Sequence, residues 1–265
     1  AMGDNEYGQL GAGSTSNRYN PAQVATGVAS VSAGGYHTLF VKTDGSLWAM
    51  GNNAYGQLGD GTTTRRNTPV QVVATGVASV SAGGYHTLFV KTDGSLWAMG
   101  DNSSGQLGDG TWTSRSGPIQ VATGVASVAA GELHTLFVKT DGSLWAMGYN
   151  SSGQLGDGTS TQRSTPVQVA SGVASVSAGS SHTLFLKTDG ALWAMGFNRD
   201  GQLGDGTWTD RSTPVQVATG VASVAAGGKH TLFVKTDGSL WAMGDNEYGQ
   251  LGYGTITNSG ISPVQ

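Results

Sequence analysis

Five histidines recur on one spacing, His37, His86, His134, His182 and His230, and each is followed directly by threonine. Imidazoles on a common period are the raw material of a metal site or of acid–base chemistry. Two sets of aspartates keep the same period. Asp44, Asp93, Asp141, Asp189 and Asp237 each precede glycine, and Asp60, Asp109, Asp157 and Asp205 each lie in Leu-Gly-Asp-Gly-Thr. Calcium needs several oxygens converging on one loop, which one aspartate per loop does not supply. A catalytic histidine needs its own partner constellation, and a residue copied five times has none. The histidines therefore read as structural, bonding backbone or the threonine hydroxyl between neighbouring units. The Asp-Gly pairs read as turns. Glycine pairs such as Gly34-Gly35 lack the following helix or lysine of a phosphate cradle. No catalytic, cofactor-binding or metal-binding residue is assigned, and no cofactor is expected.

Function would then sit where the units differ, because a shared scaffold keeps the other positions alike. Three rings vary. One holds Tyr36, Tyr85, Leu133, Ser181 and Lys229; a second holds Tyr7, Tyr55, Ser104, Ser152, Asp200 and Tyr248. The third lies in threonine-rich loops and contains Trp112 and Trp208, the tryptophans outside the strand register. Exposed Tyr and Trp anchor protein interfaces, and an aromatic ring among Asn, Asp and Thr also suits a sugar face. Tolerated surface loops are the bland alternative. Tyr36, Tyr55, Tyr85, Trp112, Leu133, Trp208 and Lys229 are the candidate partner or ligand surface. The reading is a non-enzymatic scaffold, protein-binding or without a specific function. The alternative is a multivalent carbohydrate-binding lectin.

These positions hang on a repeat. Gly-Gln-Leu-Gly begins at Gly8, Gly56, Gly105, Gly153, Gly201 and Gly249, a step of 48 residues broken once by the extra valine at Val72-Val73. The frame divides one domain, 1–265, into units 3–50, 51–99, 100–147, 148–195 and 196–243, with a half-unit at 244–265. Each unit carries a run such as Val77–Ala82, a second at His86–Thr92, the Asp93-Gly94 hairpin signal of a type I′ turn, and a third strand at Ser95–Met99. Pro118–Val121 reads as a short outer strand, where proline is tolerated. Leu-Phe-Val is apolar on consecutive residues, so both strand faces are expected to be buried. Blades stacked around an axis do that, and four short strands per unit predict an all-β propeller.

Composition fits. The chain has 44 glycines in 265 residues, 11% charged residues, a net charge of −4 and no cysteine. It offers no basic footprint for nucleic acid and no apolar run long enough to span a bilayer. Disulfides, thiolate chemistry and thiolate metal sites are excluded. Low charge without cysteine fits a secreted bacterial protein.

The order Gly51-x-Asn53-x-x-Gly56-Gln57-Leu58-Gly59-x-Gly61, then Pro69, then Val80-Ser81-Ala82-Gly83-x-x-His86-Thr87 resembles the regulator of chromosome condensation repeat. The resemblance spans the whole chain. It implies a propeller, most often of seven blades, and a protein-docking role. Five His-Thr units here predict five blades, with six blades, one incomplete, as the alternative. Ala1–Gly11 is identical to Ala242–Gly252. Both ends thus carry the same half of the unit and compete for one closing slot. The spare copy is expected to be displaced, or to dock on a second chain and make a homo-oligomer. Near-identical units fit recent amplification, or an excised or engineered piece of a longer array.

Overall fold

The computed structural model describes residues 1–254, 256 and 260–265. Among these described residues, twenty strands form five four-stranded antiparallel sheets, each paired in chain order. Blade two shows the pattern, with strands Val77–Ala82, His86–Lys91, Leu96–Gly100 and Arg115–Ala122. The other four sheets begin at Val28, Val125, Val173 and Val221 and repeat the registers. The fold is the five-bladed propeller arrangement expected from the five His-Thr units.

The hairpin differs from the type I′ expectation. Gly94 N–H donates to the Lys91 carbonyl at 2.9 Å and Lys91 N–H to the Ser95 carbonyl at 2.9 Å, so Thr92-Asp93-Gly94 form a three-residue loop. Only the last of the three then has to take the left-handed conformation, and Gly94 does, at φ 77°. A β-branched Thr beside Asp suits this loop better than a two-residue turn. Asp93 Oδ1 fixes it by accepting from the Ser95 amide at 2.8 Å and hydroxyl at 2.6 Å.

Blades pack face on face. Leu88, Val90, Leu96, Ala98 and Leu107 of blade two meet Val125, Phe137 and Met147 of blade three. The same sets recur from blade one to two, three to four and four to five. Alternate residues of each strand serve opposite neighbours, which is why the run is apolar without interruption. Near the axis the backbones themselves touch. Gly35 N–H donates to the Gly83 carbonyl at 3.1 Å and Gly84 N–H to the Glu132 carbonyl at 3.1 Å.

Between blades five and one the pattern stops. Val31 is 71% exposed and Leu240 56% exposed, whereas Leu192, the counterpart of Leu240, is fully buried. Among the described residues no core cluster joins these two blades. Residues 1–25 instead lie against blade one as the outer part of a preceding blade. Gly3 N–H donates to the Arg18 carbonyl at 2.7 Å and Ala22 N–H to the Ala1 carbonyl at 3.0 Å. Leu10 is buried, and Gly11 seats on Met50 as Gly59 seats on Met99. Under this half-blade, where its inner strands would lie, a cavity of about 680 Å³ is bordered by Val28, Val31, Phe40 and Met50. The two identical ends therefore have a place each, rather than competing for one slot.

Candidate binding surface

Register sets the two ends of the ring apart. His37 pairs with Gly51 and Gly51 with Arg66, while Val41 pairs with Leu47. Loops 34–36 and 52–65 thus lie at one end, here the upper, and hairpin 43–46 at the lower. All three variable rings are upper-end loops. The lower end repeats one motif: Lys42 Nζ sits 4.5 Å over the Trp48 ring and Trp48 Nε1 donates to Ser46 Oγ at 2.9 Å. Lys91, Lys139, Lys187 and Lys235 cap their own tryptophans the same way.

The upper loops are built on a buried asparagine. Asn53 Nδ2 donates to Asp60 Oδ1 at 3.1 Å, the Thr62 carbonyl at 3.1 Å and the Thr64 carbonyl at 3.0 Å, while its Oδ1 accepts from Leu58 N–H at 2.9 Å. Asp60 then pairs with Arg66 at 2.6 Å. Asn102, Asn150 and Asn198, with Asp109–Arg115, Asp157–Arg163 and Asp205–Arg211, repeat this. Burial alone would raise the Asp60 pKa; the Thr62 hydroxyl, Arg66 and the Thr62 amide outweigh it and hold the carboxyl below the usual range. Sequence reasoning passed over these Asn and Arg residues. Their recurrence in every complete unit was the signal.

On this frame four tyrosines meet. Tyr36 stacks on Tyr85 with centroids 4.9 Å apart, Tyr7 meets Tyr36 edge-on at 5.3 Å, and Tyr55 meets Tyr85 edge-on at 5.3 Å. Burial first, then a hydrogen bond with Tyr36, pushes the Tyr85 phenol up to about 12. Tyr7 and Tyr55 come from one variable ring, Tyr36 and Tyr85 from another. Leu133 follows on blade three, half-buried beside exposed Glu132. Across the axis the surface is charged: Lys229 Nζ lies 3.9 Å from Asp200 and Arg199 Nε 4.0 Å from Asp210. Between the two halves opens an axial cavity of about 450 Å³, lined by residues of all five blades, among them Gly34, Tyr36, Glu132 and Ser180. Trp112 and Trp208 are half exposed but stand on blades two and four, with blade three between them.

The histidines lie inside the walls. His37 Nε2 is 2.8 Å from Thr87 Oγ1, and the same contact joins His86–Thr135, His134–Thr183 and His182–Thr231. Each of these hydroxyls donates to a glutamine carbonyl, as Thr87 does to Gln57 at 2.8 Å. Its one proton is thereby committed, so it accepts from Nε2–H. Nδ1 of His37, His86, His134 and His182 has no partner. Burial lowers the pKa of His37 and His134 to about 4 and of His86 and His182 to about 3. A ring sealed from solvent and from any substrate is a rivet between blades. His230, only half-buried, makes no such bridge among the described residues, and Thr38 has no histidine to receive. Nor, among the described residues, do three or more His, Cys, Asp or Glu gather as a metal site.

The repeat matches known proteins along its length. The model of the regulator of chromosome condensation (RCC1) repeat matches residues 1–41, 44–90, 93–138, 141–186, 189–234 and 237–265. A second RCC1 repeat model matches five segments from 28–57 to 221–250. No curated protein sequence matches the chain. Human WBSCR16 is a similar solved structure, with TM-score 0.88 and 25% identity over 99% of this chain and 74% of that one. Prp20p of Saccharomyces cerevisiae, in a structure described with its binding to Gsp1p and histones, gives TM-score 0.70 and 20% identity over 99% of this chain and 84% of that one. Yeast RCC1 (Prp20) bound to Kap60 gives 0.70 and 20% over 99% and 82%. With repeat models covering nearly every residue and propeller blades built on the repeat's own His-Thr and Gly-Gln-Leu-Gly positions, this chain belongs to the RCC1 repeat family.

Proposed function

We propose that the chain is a non-catalytic scaffold that binds a protein partner through its upper end. One observation carries this reading: the residues that differ between units collect on that end, and there the tyrosine quartet stands across the axial mouth from Lys229, Asp200, Arg199 and Asp210. Aromatic anchors beside a charged rim are the composition of a protein interface. The lower end repeats the lysine-over-tryptophan cap in all five blades and varies little, Ala191 standing where the other hairpins carry serine. The related Prp20 structures are described in complexes or with binding to protein partners, Gsp1p, histones and Kap60. The same class of partner, though not those proteins, is the reading here.

The test compares capture from a lysate by the unaltered chain, by Tyr36→Ser/Tyr85→Ser and by Lys42→Gln/Lys91→Gln at the lower end. A partner lost with the upper-end pair and kept with the lower-end pair supports the reading. A partner indifferent to Tyr36, Tyr85 and Lys229→Glu overturns it. The half-exposed Trp112 and Trp208, each flanked by threonines, support a second reading as carbohydrate contacts. Saturable glycan binding abolished by Trp112→Ala and Trp208→Ala favours it.

A further inference from the structure

All five blades contribute to the axial cavity of about 450 Å³, and its wall is nearly bare. The alanines that end the inner strands, from Ala33 to Ala226, form the deeper tier, and the glycines that follow them, from Gly34 to Gly227, form the next. In the tier above, blades one, two and five again present glycine, at Gly35, Gly84 and Gly228. Blades three and four instead present Glu132 and Ser180, and Tyr36 completes the rim. Glu132, Ser180 and Tyr36 are thus the lining residues whose side chains exceed a methyl group, and of these Glu132 carries the charge.

The neighbouring blade fixes the position of Glu132. Gly84 N–H donates to its carbonyl at 3.1 Å, and a Cβ built on Gly84 would stand 3.0 Å from its Cγ. The stem therefore leans from blade three over the backbone of blade two, toward the tyrosine side. Lys229, the cation at the same mouth, lies across the axis, 3.9 Å from Asp200. Among the described residues Glu132 makes no ion pair. Its surroundings are acidic as well. Each lower hairpin balances its lysine with its own aspartate, from Lys42 and Asp44 to Lys235 and Asp237, so the net charge of −4 falls on the rest of the chain. There every other acidic residue stands in an upper-end loop. A concave site of one sign concentrates the opposite charge.

We propose that the protein partner inserts an arginine side chain into the axial cavity and pairs it with Glu132. The inference rests on the upper-end scaffold reading above and specifies the chemistry of its partner. A guanidinium donates two parallel hydrogen bonds to a carboxylate and stacks on aromatic rings, and Glu132 and Tyr36 supply one of each. Ser180 Oγ is a further acceptor on the same rim. The methylenes of the arginine stem lie along the alanine and glycine tiers, where the absence of side chains lets them approach the backbone. An acidic or apolar side chain in the same place would leave the Glu132 carboxylate unpaired inside a closed interface, which is costly.

The test titrates the isotope-labelled full chain with the end-blocked peptide Gly-Gly-Arg-Gly-Gly and follows backbone amides by NMR. Saturable shifts at Gly84, Gly131 and Gly179 are the expected result. Glu132 is exposed, so Glu132→Gln leaves the fold intact, and it is expected to weaken binding by about tenfold or more, as for a lost charge-assisted hydrogen bond. Glu6→Gln, which removes an exposed carboxylate outside the cavity, is expected to leave binding unchanged. The matching lysine peptide is expected to bind less tightly, and one that binds equally well overturns the assignment to arginine. No saturable shift at those amides, unchanged binding in Glu132→Gln, or the same weakening in Glu6→Gln overturns the proposal. If the peptide fails while Tyr36→Ser/Tyr85→Ser still loses a captured partner, the arginine falls and the upper-end reading stands.

Discussion

His86 Nε2 lies 3.0 Å from Thr135 Oγ1 of the next blade, and the same hydroxyl donates at 2.8 Å to the carbonyl of Gln106, back in the loop that leaves blade two. One side chain thus ties its blade to two elements of its predecessor. This explains why each buried His meets a buried Thr of the next blade in sheets otherwise filled with Leu, Phe and Val.

Replacing Thr135 by valine keeps the volume and removes both bonds. The His86 Nε2–H and the Gln106 carbonyl are then buried without partners, a loss of about 2–4 kcal/mol. Urea denaturation of Thr135→Val and Thr135→Ser measures it. Serine, which restores the hydroxyl, is expected to recover most of the loss. If valine and serine behave alike, packing rather than the bridge holds the blades.

The same rivets set an acid limit on stability. Four rings have folded pKa values lowered to about 3 to 4, against 6.5 in the unfolded chain. The unfolded chain therefore takes up protons first as pH falls. The stability these sites give is complete above pH 6.5 and is lost below it, down to the folded values. At pH 5 the loss is about 2 kcal/mol for each histidine. Denaturation midpoints at pH 7.5 and pH 5 check this, and equal midpoints would sink the assignment of neutral buried rings.

The strands were legible because every position is written five times. Val77–Ala82 and the start of the next strand at His86 coincide with the sequence reading, and consecutive apolar residues announced two buried faces. The hairpin was misjudged by one residue, since Asp-Gly signals a tight turn without saying whether the preceding Thr belongs to it. The tyrosine quartet was not legible as a cluster. Tyr7 and Tyr36 belong to different variable rings and meet only because the half-blade of residues 1–25 packs on blade one. Nor could spacing show the seam. Five units imply five blades, but whether the fifth reaches the first depends on how far each blade rotates from the last.

Two glycines should respond in opposite directions to the same substitution. A Cβ on Gly131 would strike the His134 ring and stand 2.8 Å from the Gly179 carbonyl, which is backbone and cannot swing away. Gly131→Ala is expected to cost about 1–3 kcal/mol, the range of overpacking. Gly117, in the outer strand of blade two, has open space around it and no positive φ. Gly117→Ala is expected to stabilise by about 0.5–1 kcal/mol, because glycine in a strand carries extra entropy in the unfolded chain. Thermal unfolding of the two variants side by side tests the ordering.

In the upper loops the aspartate should matter more than its ion pair. Asp157 is nearly buried, while the Arg163 side chain is 38% exposed, so solvent screens their attraction and Arg163→Ala is expected to cost no more than about 1 kcal/mol. Asp157 also accepts from Asn150 Nδ2 at 3.1 Å and from the Thr159 amide and hydroxyl at 3.0 and 2.7 Å. Asp157→Ala strands those donors inside the loop and is expected to cost about 2–3 kcal/mol, roughly the penalty for buried groups left unsatisfied by a charged partner. Amide exchange would quicken across 150–161 while the strands of blade three stay protected. A larger loss in Arg163→Ala than in Asp157→Ala would mean that the salt bridge, not the hydrogen-bonded loop nucleus, shapes the surface on which the variable residues stand.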